Sequence, residues 1–102
     1  MFRIIRKKIL NPTVVMMDVE APLVAKKAKA GQFVILRPGQ NSERIPLTVA
    51  GVSRDEGSVR IIFQLVGATT MELGELEEGG YICDFVGPLG KPAELDGLKK
   101  VA

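Results

Sequence analysis

The chain has 102 residues, of which 46% are hydrophobic and 25% charged, and its formal net charge is +2. This length supplies one domain with a hydrophobic core and is too short for two, and the composition is that of a globular protein rather than of a disordered or membrane-inserted one.

The absence of histidine excludes serine–histidine and cysteine–histidine catalysis. The single cysteine, Cys83, excludes an internal disulfide and cannot alone hold zinc or an iron–sulfur cluster. No catalytic side chain and no metal site is predicted, so any redox chemistry is expected to come from a bound cofactor.

The N-terminal sequence MFRIIRKKIL mixes basic with apolar residues, whereas a secretory signal places its basic residues before an apolar block. We therefore expect a cytoplasmic protein. Basic residues cluster at positions 3–8 and 26–29, but one tyrosine and no tryptophan leave little aromatic surface for stacking bases. The expected partners therefore include neither nucleic acid nor a membrane.

Period-two alternation of apolar residues predicts six strands along the chain. They are FRIIRKKIL (2–10), TVVMMDVE (13–20), GQFVILRP (31–38), IPLTVAGVS (45–53), SVRIIFQLV (58–66) and GYICDFVG (80–87). The position of Cys83 in the last of these predicts a buried structural cysteine. Short strands joined by Gly, Pro and Asp turns are typical of an all-β antiparallel barrel or sandwich.

The segment GATTMELGELEEGG (67–80) predicts one short helix between the last two strands. Thr69 followed three residues later by Glu72 fits a capping box that begins the helix near Thr70, and the closing pair of glycines would end it. So short a helix must dock its leucines on the barrel to be stable. Its free N–H groups beside Gly67 suit a phosphate, although a helix that only closes the barrel accounts for the same pattern.

The stretch SERIPLTVAG (42–51) carries the second candidate site. Alternate side chains of an extended segment share a face, so Arg44, Pro46 and Thr48 are expected to point one way while the residues between them face the core. Pro46 stiffens the segment, Arg44 offers a planar fork for phosphate oxygens, and Thr48 offers a hydroxyl that donates and accepts. With the helix N-terminus, these residues suggest a site for a dinucleotide.

Three motifs, RIPLT (44–48), VGATT (66–70) and GPLG (87–90), occur in an order and at a spacing that resemble the flavin domain of the ferredoxin–NADP⁺ reductase superfamily. The resemblance covers nearly the whole chain. It is strongest to the small subunit of NADH-dependent ferredoxin:NADP⁺ oxidoreductase, also known as a sulfide dehydrogenase subunit, and next to the electron-transfer subunit of dihydroorotate dehydrogenase. It implies an FAD-binding, six-stranded antiparallel Greek-key barrel with one short helix.

The resemblance also implies roles for individual residues. Thr48 takes the place of a serine that hydrogen-bonds the isoalloxazine near its N5 and O4, and Leu47 replaces the residue, aromatic in many relatives, that packs against the ring. Pro46 is shared with the dihydroorotate branch, and Arg44 stands one residue before the family's motif arginine, so it reaches the phosphates only if the backbone bends. The remaining correspondences are Phe63, Gln64 and Leu65 along the ribityl or adenosine part, and Gly67, Thr69 and Thr70 at the pyrophosphate.

Relatives continue into a nucleotide-binding domain and then into cysteines for a [2Fe–2S] cluster. The resemblance therefore implies that residues 1–96 are the FAD-binding barrel and residues 97–102 the start of a truncated NAD(P)-binding domain, with NAD(P) and [2Fe–2S] sites only in the missing part. The implied function is that of an oxidoreductase electron-transfer subunit, which passes electrons between a pyridine nucleotide, FAD and the cluster toward a larger partner subunit. Such a fragment is expected to be inactive alone, and its exposed apolar surface favours self-association.

Two alternatives stand beside this interpretation. One is the electron-transfer subunit of dihydroorotate dehydrogenase, which differs in its partner. The other is a small β-barrel interaction module that binds no flavin and docks a protein or RNA through its basic N-terminal hairpin. The interpretation as an interaction module leaves the motifs RIPLT and VGATT without a role.

Overall fold

The computed structural model describes residues 1–90, so the predicted boundary at residue 96 and the predicted second-domain segment 97–102 lie outside the described residues. Seven strands and two short helices follow one another in this part of the chain. The strands are β1 (Phe2–Asn11), β2 (Val14–Glu20), β3 (Phe33–Arg37), β4 (Ile45–Ser53), β5 (Ser58–Gln64), β6 (Tyr81–Ile82) and β7 (Asp84–Leu89), and the helices are α1 (Pro22–Lys27) and α2 (Ala68–Glu75).

The strands form one antiparallel sheet in the order β6-β1-β2-β5-β4-β3-β7. β3, β4 and β5 follow one another as a meander, and β2 lies beside β5 although two strands separate them in sequence, which is a Greek-key arrangement. β6 and β7 stand at opposite ends of the order and are separated by one residue, so this short segment brings the two ends of the sheet together. The predicted antiparallel Greek-key barrel is confirmed in its architecture.

The predicted count of six strands is wrong because the last one is divided. Tyr81 and Ile82 pair with β1, whereas the residues from Asp84 onward pair with β3. Cys83 lies at the division, where its backbone N–H donates to the carbonyls of Arg37 (3.1 Å) and Pro38 (3.2 Å). Its side chain is half-buried rather than buried as predicted. A change of partner inside an apolar run leaves the alternation intact, so the sequence pattern does not reveal it.

The predicted count of one helix is also wrong, because α1 precedes β3. Pro22 occupies its first turn, where the missing N–H of proline is not needed. Val24, Ala25 and Ala28 are buried at helical spacing. A helix of six residues, in which the only buried side chains are those of Val24 and Ala25, gives too weak a periodicity to detect from the sequence. Neither of the two helices in the described part of the chain has the length and apolar character needed to cross a bilayer.

The helix predicted after β5 is confirmed as α2, but its predicted cap is wrong. Gly67 is the N-cap residue, and Thr70 rather than Thr69 secures the first turn. The Thr70 Oγ1 accepts hydrogen bonds from the backbone N–H groups of Val66 (3.0 Å) and Gly67 (2.9 Å). A threonine three positions into the helix can therefore replace the carboxylate of a capping box.

The C-terminal half of α2 also differs from the prediction. Glu72 does not cap the helix N-terminus, and its carboxylate instead accepts a hydrogen bond of 2.7 Å from Ser42 Oγ. The helix ends at Glu75, four residues before the glycine pair that was expected to end it. Leu73 is fully buried and Leu76 packs partly against the core, so the predicted docking of the two leucines is confirmed.

One hydrophobic core fills the barrel. Along β3 and β5, the buried apolar residues alternate with more exposed ones, as the period of a half-buried strand requires. β2 follows the same period except at Asp18, which is buried between Met17 and Val19. The large core residues are Ile4, Val15, Met17, Val19, Val34, Leu36, Val49, Val59, Ile61, Phe63, Leu73, Ile82 and Phe85. The outer faces of β4 and β5 are left to carry polar side chains, and the candidate site lies there.

Candidate functional site

β4 has the alternation that its sequence predicts. Pro46 and Thr48 are exposed on the outer face, whereas Ile45 and Leu47 are half-buried and pack against the core. Val49 continues the inner row and is 1% exposed. The strand thus presents a rigid proline and a free hydroxyl side by side on the outside of the barrel.

An open groove of about 440 Å³ runs over the outer face of β4 and β5. Its predicted members are Pro46, Leu47, Thr48, Phe63, Gln64 and Thr70, and Ile45, Ile62 and Val66 line it as well. β4 and β5 are antiparallel neighbours, with Val49 opposite Ile61. This pairing places two segments that are about 15 residues apart in sequence into one surface. Six of the ten predicted site residues therefore come together here.

A second groove, of about 480 Å³, adjoins the first at the N-terminus of α2. Both grooves are lined by Ile45, Val66 and Thr70, so they form one continuous depression. Gly67 and Thr69, two further predicted residues, line the second groove. The N–H groups of Ala68, Thr69 and Thr70 have no acceptor within residues 1–90, because the first intrahelical bond is donated by Met71 to the Gly67 carbonyl.

The backbone at Gly67 leaves open space for a ligand. Its φ of −149° and ψ of 173° are accessible to any residue, and a Cβ added there meets no atom within 4 Å. Neither conformation nor packing therefore requires glycine at this position. The open space lies next to the free N–H groups, where the helix dipole favours an anion.

Acidic side chains at the rim oppose that preference in part. Glu43 and Glu72 line the second groove, and Glu72 is turned toward the preceding loop by its hydrogen bond with Ser42. Arg44, which was predicted to bind phosphate, does not line either groove. Its guanidinium is 60% exposed and lies 3.2 Å from Asp84, a carboxylate that also pairs with Arg37 at 2.8 Å.

The side chains of Phe63 and Leu65, which were predicted to lie along the cofactor, pack in or against the core. Phe63 is 4% exposed, so its side chain belongs to the core even though the residue lines the first groove. Leu65 does not line either groove, and it packs against the core beside Gly74 of α2. The structure thus gathers eight of the ten predicted residues along the joined grooves, with Arg44 and Leu65 beside them.

Sequence reasoning missed the apolar floor of the grooves. Ile62 is 41% exposed and Val66 is 76% exposed, between the polar residues Thr48, Gln64 and Thr70. An available signal was the alternation of β5, because Ile62 stands between Arg60 and Gln64 on an otherwise polar face. An apolar floor flanked by hydroxyl and amide groups suits a flat heterocyclic ligand.

The strongest electrostatic interactions lie farther along the same outer face. Asp18 of β2 is 2% exposed and accepts hydrogen bonds from Arg60 Nε (2.8 Å), Arg60 Nη2 (3.0 Å) and Arg6 Nη1 (2.9 Å). The bonds from Arg60, and then those from Arg6, lower the pKa of the Asp18 carboxyl. Arg6 also pairs with Glu56, and this interaction lowers the pKa of Glu56 and raises the pKa of Arg6. We call Arg6, Asp18, Glu56 and Arg60 the ion cluster.

No protein-family model matches the chain. A protein of Clostridium beijerinckii, described only as uncharacterised and located in the adh 3′ region, is 49% identical over 93% of this chain and 32% of its own length. A Thermotoga maritima protein, described as a homologue of the electron-transfer subunit of dihydroorotate dehydrogenase B (NAD⁺), is 46% identical over 81% of this chain and 29% of its own length. The chain spans about a third of the length of these relatives.

A solved structure of NADH-dependent reduced ferredoxin–NADP oxidoreductase, determined to study flavin-based electron bifurcation, matches the fold. The TM-score is 0.87 at 43% sequence identity, over 90% of this chain and 33% of the solved chain. The strand order of the barrel, the three sequence motifs and these relatives all indicate the same fold. The chain therefore has the barrel fold of the ferredoxin–NADP⁺ reductase superfamily, and over most of its length it is similar to a protein described as an electron-transfer subunit homologue.

Proposed function

We propose that this chain is the FAD-binding domain of an electron-transfer subunit of a flavoprotein oxidoreductase. The observation that carries the proposal is the continuity of the two grooves. A hydroxyl and an apolar floor on β4 and β5 lead directly to a helix N-terminus with open space at Gly67. One end suits a flat, polar-edged ring and the other suits a pyrophosphate, which are the two recognisable ends of FAD.

The roles of the individual residues follow from their positions. Thr48 would hydrogen-bond the polar edge of the ring, while Pro46, Leu47 and Ile62 would supply apolar contact. Gln64 and the backbone of β5 near Phe63 and Leu65 would lie along the middle of the cofactor. Gly67, Thr69 and Thr70 would hold the pyrophosphate through backbone N–H groups and hydroxyls. When bound, the flavin would supply the electron-transfer chemistry.

The role of Arg44 requires one rearrangement. Its guanidinium is ion-paired with Asp84 and largely exposed, and an exposed ion pair of this kind contributes little to stability. We propose that Arg44 exchanges this partner for the pyrophosphate when FAD binds. Arg37 would remain on Asp84, so the carboxylate would keep a partner after the exchange.

In the longer proteins to which this chain is related, we propose that the FAD exchanges electrons with a pyridine nucleotide and with a [2Fe–2S] cluster bound outside this barrel, and that a larger subunit is the partner. The relative described as a dihydroorotate dehydrogenase electron-transfer subunit homologue supports that class of partner as the second candidate. Cytoplasmic location and inactivity of the isolated barrel stay predictions.

The test is a titration of the 102-residue chain with FAD, FMN and riboflavin, followed by flavin fluorescence and checked by equilibrium dialysis. We expect saturable binding with FAD the tightest ligand. Gly67→Val should weaken FAD binding at least about tenfold. It should lower the melting temperature only slightly, since the open space admits the side chain although valine is a poorer N-cap residue than glycine. Riboflavin, which has no phosphate, is the matched control and should bind both proteins equally. An absence of saturable FAD binding would contradict the proposal.

A further inference from the structure

The side chains of the ion cluster are held in fixed orientations to a greater extent than the cluster's expected contribution to the free energy of folding explains. Moving a carboxylate such as that of Asp18 out of water costs free energy, and the attraction within an ion pair often offsets only part of that cost. Asp18 nevertheless has a side chain that is only 3% exposed, with both of its oxygens bound by arginine N–H groups. The arrangement holds the guanidinium of Arg60 in one plane, because Nε and Nη2 of the same group bind the same carboxylate.

Arg60 keeps a free edge. Its Nη1 has no hydrogen-bond acceptor within residues 1–90, and the side chain is 46% exposed. Both terminal nitrogens of Arg6 are engaged, Nη1 by Asp18 and Glu56 and Nη2 by Glu56. Among the terminal nitrogens of the two arginines, Nη1 of Arg60 is therefore the one that has no acceptor within residues 1–90.

Arg60 lines a depression of about 670 Å³, and small side chains are among the other residues that line it. Arg60 and the ion cluster line it together with residues of β4, among them Ala50, Gly51 and Ser53. A register shift in the pairing of β4 with β5 places Gly51 directly opposite Arg60. The absence of a side chain at Gly51 leaves the space beside the guanidinium accessible.

The depression lies next to the candidate FAD groove on the outer face of β4 and β5, although the two share no lining residue. Thr48 and Ile62 line the groove, and the next residues on the same outer face of the two strands, Ala50 and Arg60, line the depression. Two residues of a strand span about 7 Å, which is less than the length of a three-ring isoalloxazine. A ring bound over Thr48 would therefore extend to the free edge of Arg60.

We propose that Arg60, positioned by Asp18, donates a hydrogen bond to the N1–C2=O edge of the flavin and favours its reduced, anionic form; the inference rests on the proposed function above. A flavin that has taken up two electrons and one proton carries one negative charge, located at that edge. The charges of the ion cluster cancel, so Arg60 acts through a directed donor rather than through net charge. A charged group near this part of a flavin changes the reduction potential of the flavin, and proteins tune the potential in this way.

The test compares Arg60→Gln, Arg60→Lys and Arg6→Gln with the wild-type chain saturated with FAD. We measure the two-electron midpoint potential spectroelectrochemically, the dissociation constant of oxidised FAD, and the melting temperature. Loss of a charge-assisted hydrogen bond is expected to weaken the binding of reduced relative to oxidised flavin by roughly 10- to 100-fold. For a two-electron couple this corresponds to a potential about 30–60 mV more negative.

Arg60→Lys separates a tuning role from a structural one. A lysine keeps the positive charge beside Asp18, but it has no second arm to reach the flavin. We expect the potential of Arg60→Lys to follow that of Arg60→Gln, and we expect its melting temperature to stay closer to that of the wild type. Arg6→Gln removes an equal charge from beside the same carboxylate, but Arg6 lies on β1, three strands from Thr48 in the sheet order. The potential of Arg6→Gln should therefore change by less than half as much.

The outcomes are distinguishable. Wild-type potentials in both Arg60 variants, or equal shifts in Arg60→Gln and Arg6→Gln, would overturn the role of Arg60 while FAD binding still stands. If the wild-type chain takes up no FAD, the proposed function is overturned and this inference with it. The inference is supported if the potential shifts in both Arg60 variants, if Arg6→Gln shifts it by less than half as much, and if oxidised FAD binds as tightly as in the wild type.

Discussion

Replacing Asp18 by asparagine tests how much the ion cluster contributes to the free energy of unfolding. The substitution keeps the shape of the side chain, but it removes the charge and turns one acceptor into a donor that faces a guanidinium. Breaking a buried ion pair typically costs about 3–5 kcal/mol when the remaining charge stays buried. Arg6 and Arg60 are 49% and 46% exposed and recover water, so the lower end applies. We expect Asp18→Asn to reduce the free energy of unfolding by about 2–3 kcal/mol.

The measurement is urea denaturation at pH 7, with a thermal melt as the second probe. For a domain of this size, the loss corresponds to a melting temperature lower by roughly 8–24 °C. Asp55→Asn is the matched control, because Asp55 is exposed on the β4–β5 turn and forms no ion pair with residues 1–90. The control should stay within about 0.5 kcal/mol of the wild type.

The pH dependence supplies a second, independent check. The arginine partners hold the pKa of Asp18 below its value in the unfolded chain, which is about 3.9. Its stabilising contribution is therefore fully present above that pH and is lost as the pH falls through the lower, folded-state pKa. The gap between wild type and Asp18→Asn should narrow below about pH 4. A gap below 1 kcal/mol at pH 7, or one that is unchanged at pH 2.5, would refute the reasoning.

Four further substitutions test the rest of the structure. Leu73→Ala should lower the unfolding free energy by about 2–5 kcal/mol in urea, because the side chain that docks α2 is fully buried; a loss below 1 kcal/mol would contradict this docking. Gly74→Ala should fail to give the helix-propensity gain of up to about 1 kcal/mol, since the new Cβ would lie 2.6 Å from Leu65 Cδ2; a higher melting temperature would show that Leu65 yields freely. Thr48→Val should leave the melting temperature unchanged and weaken FAD binding or shift the flavin potential, and unchanged affinity and potential would remove Thr48 from the site. Arg44→Ala should weaken the binding of FAD but not of riboflavin, and an equal effect on both ligands would exclude the phosphate role.

The elements that were predicted from the sequence are those whose signal is local. Alternation located the strands, and the inward and outward faces of 45–49 followed from the two-residue period together with the rigid Pro46. The glycine and hydroxyl pattern at 67–70 located the start of α2 to within a few residues. Each of these features depends on residues that are neighbours in the chain.

The features that were missed depend on pairing between distant segments. The ion cluster joins residues 6, 18, 56 and 60, which become neighbours only through the register of β1, β2 and β5. The ion pair between Arg44 and Asp84 spans 40 positions and redirects a side chain that local reasoning assigned to phosphate. The position of Ile62 on the outer face between Arg60 and Gln64 follows from the alternation of β5, but that this apolar side chain lines a groove depends on the pairing of β5 with β4.

The division of the last strand at Cys83 also bears on how the protein can misfold. The eleven residues from Gly79 to Leu89 cover the outer edges of both β1 and β3. Gly79 and Gly80 exchange backbone hydrogen bonds with Ile4, β6 pairs with β1, and β7 pairs with β3. Release of this one segment would expose two strand edges at the same time, and exposed edges are templates for intermolecular pairing. Substitutions that loosen this closing segment should therefore promote aggregation more strongly than equally destabilising substitutions in the core.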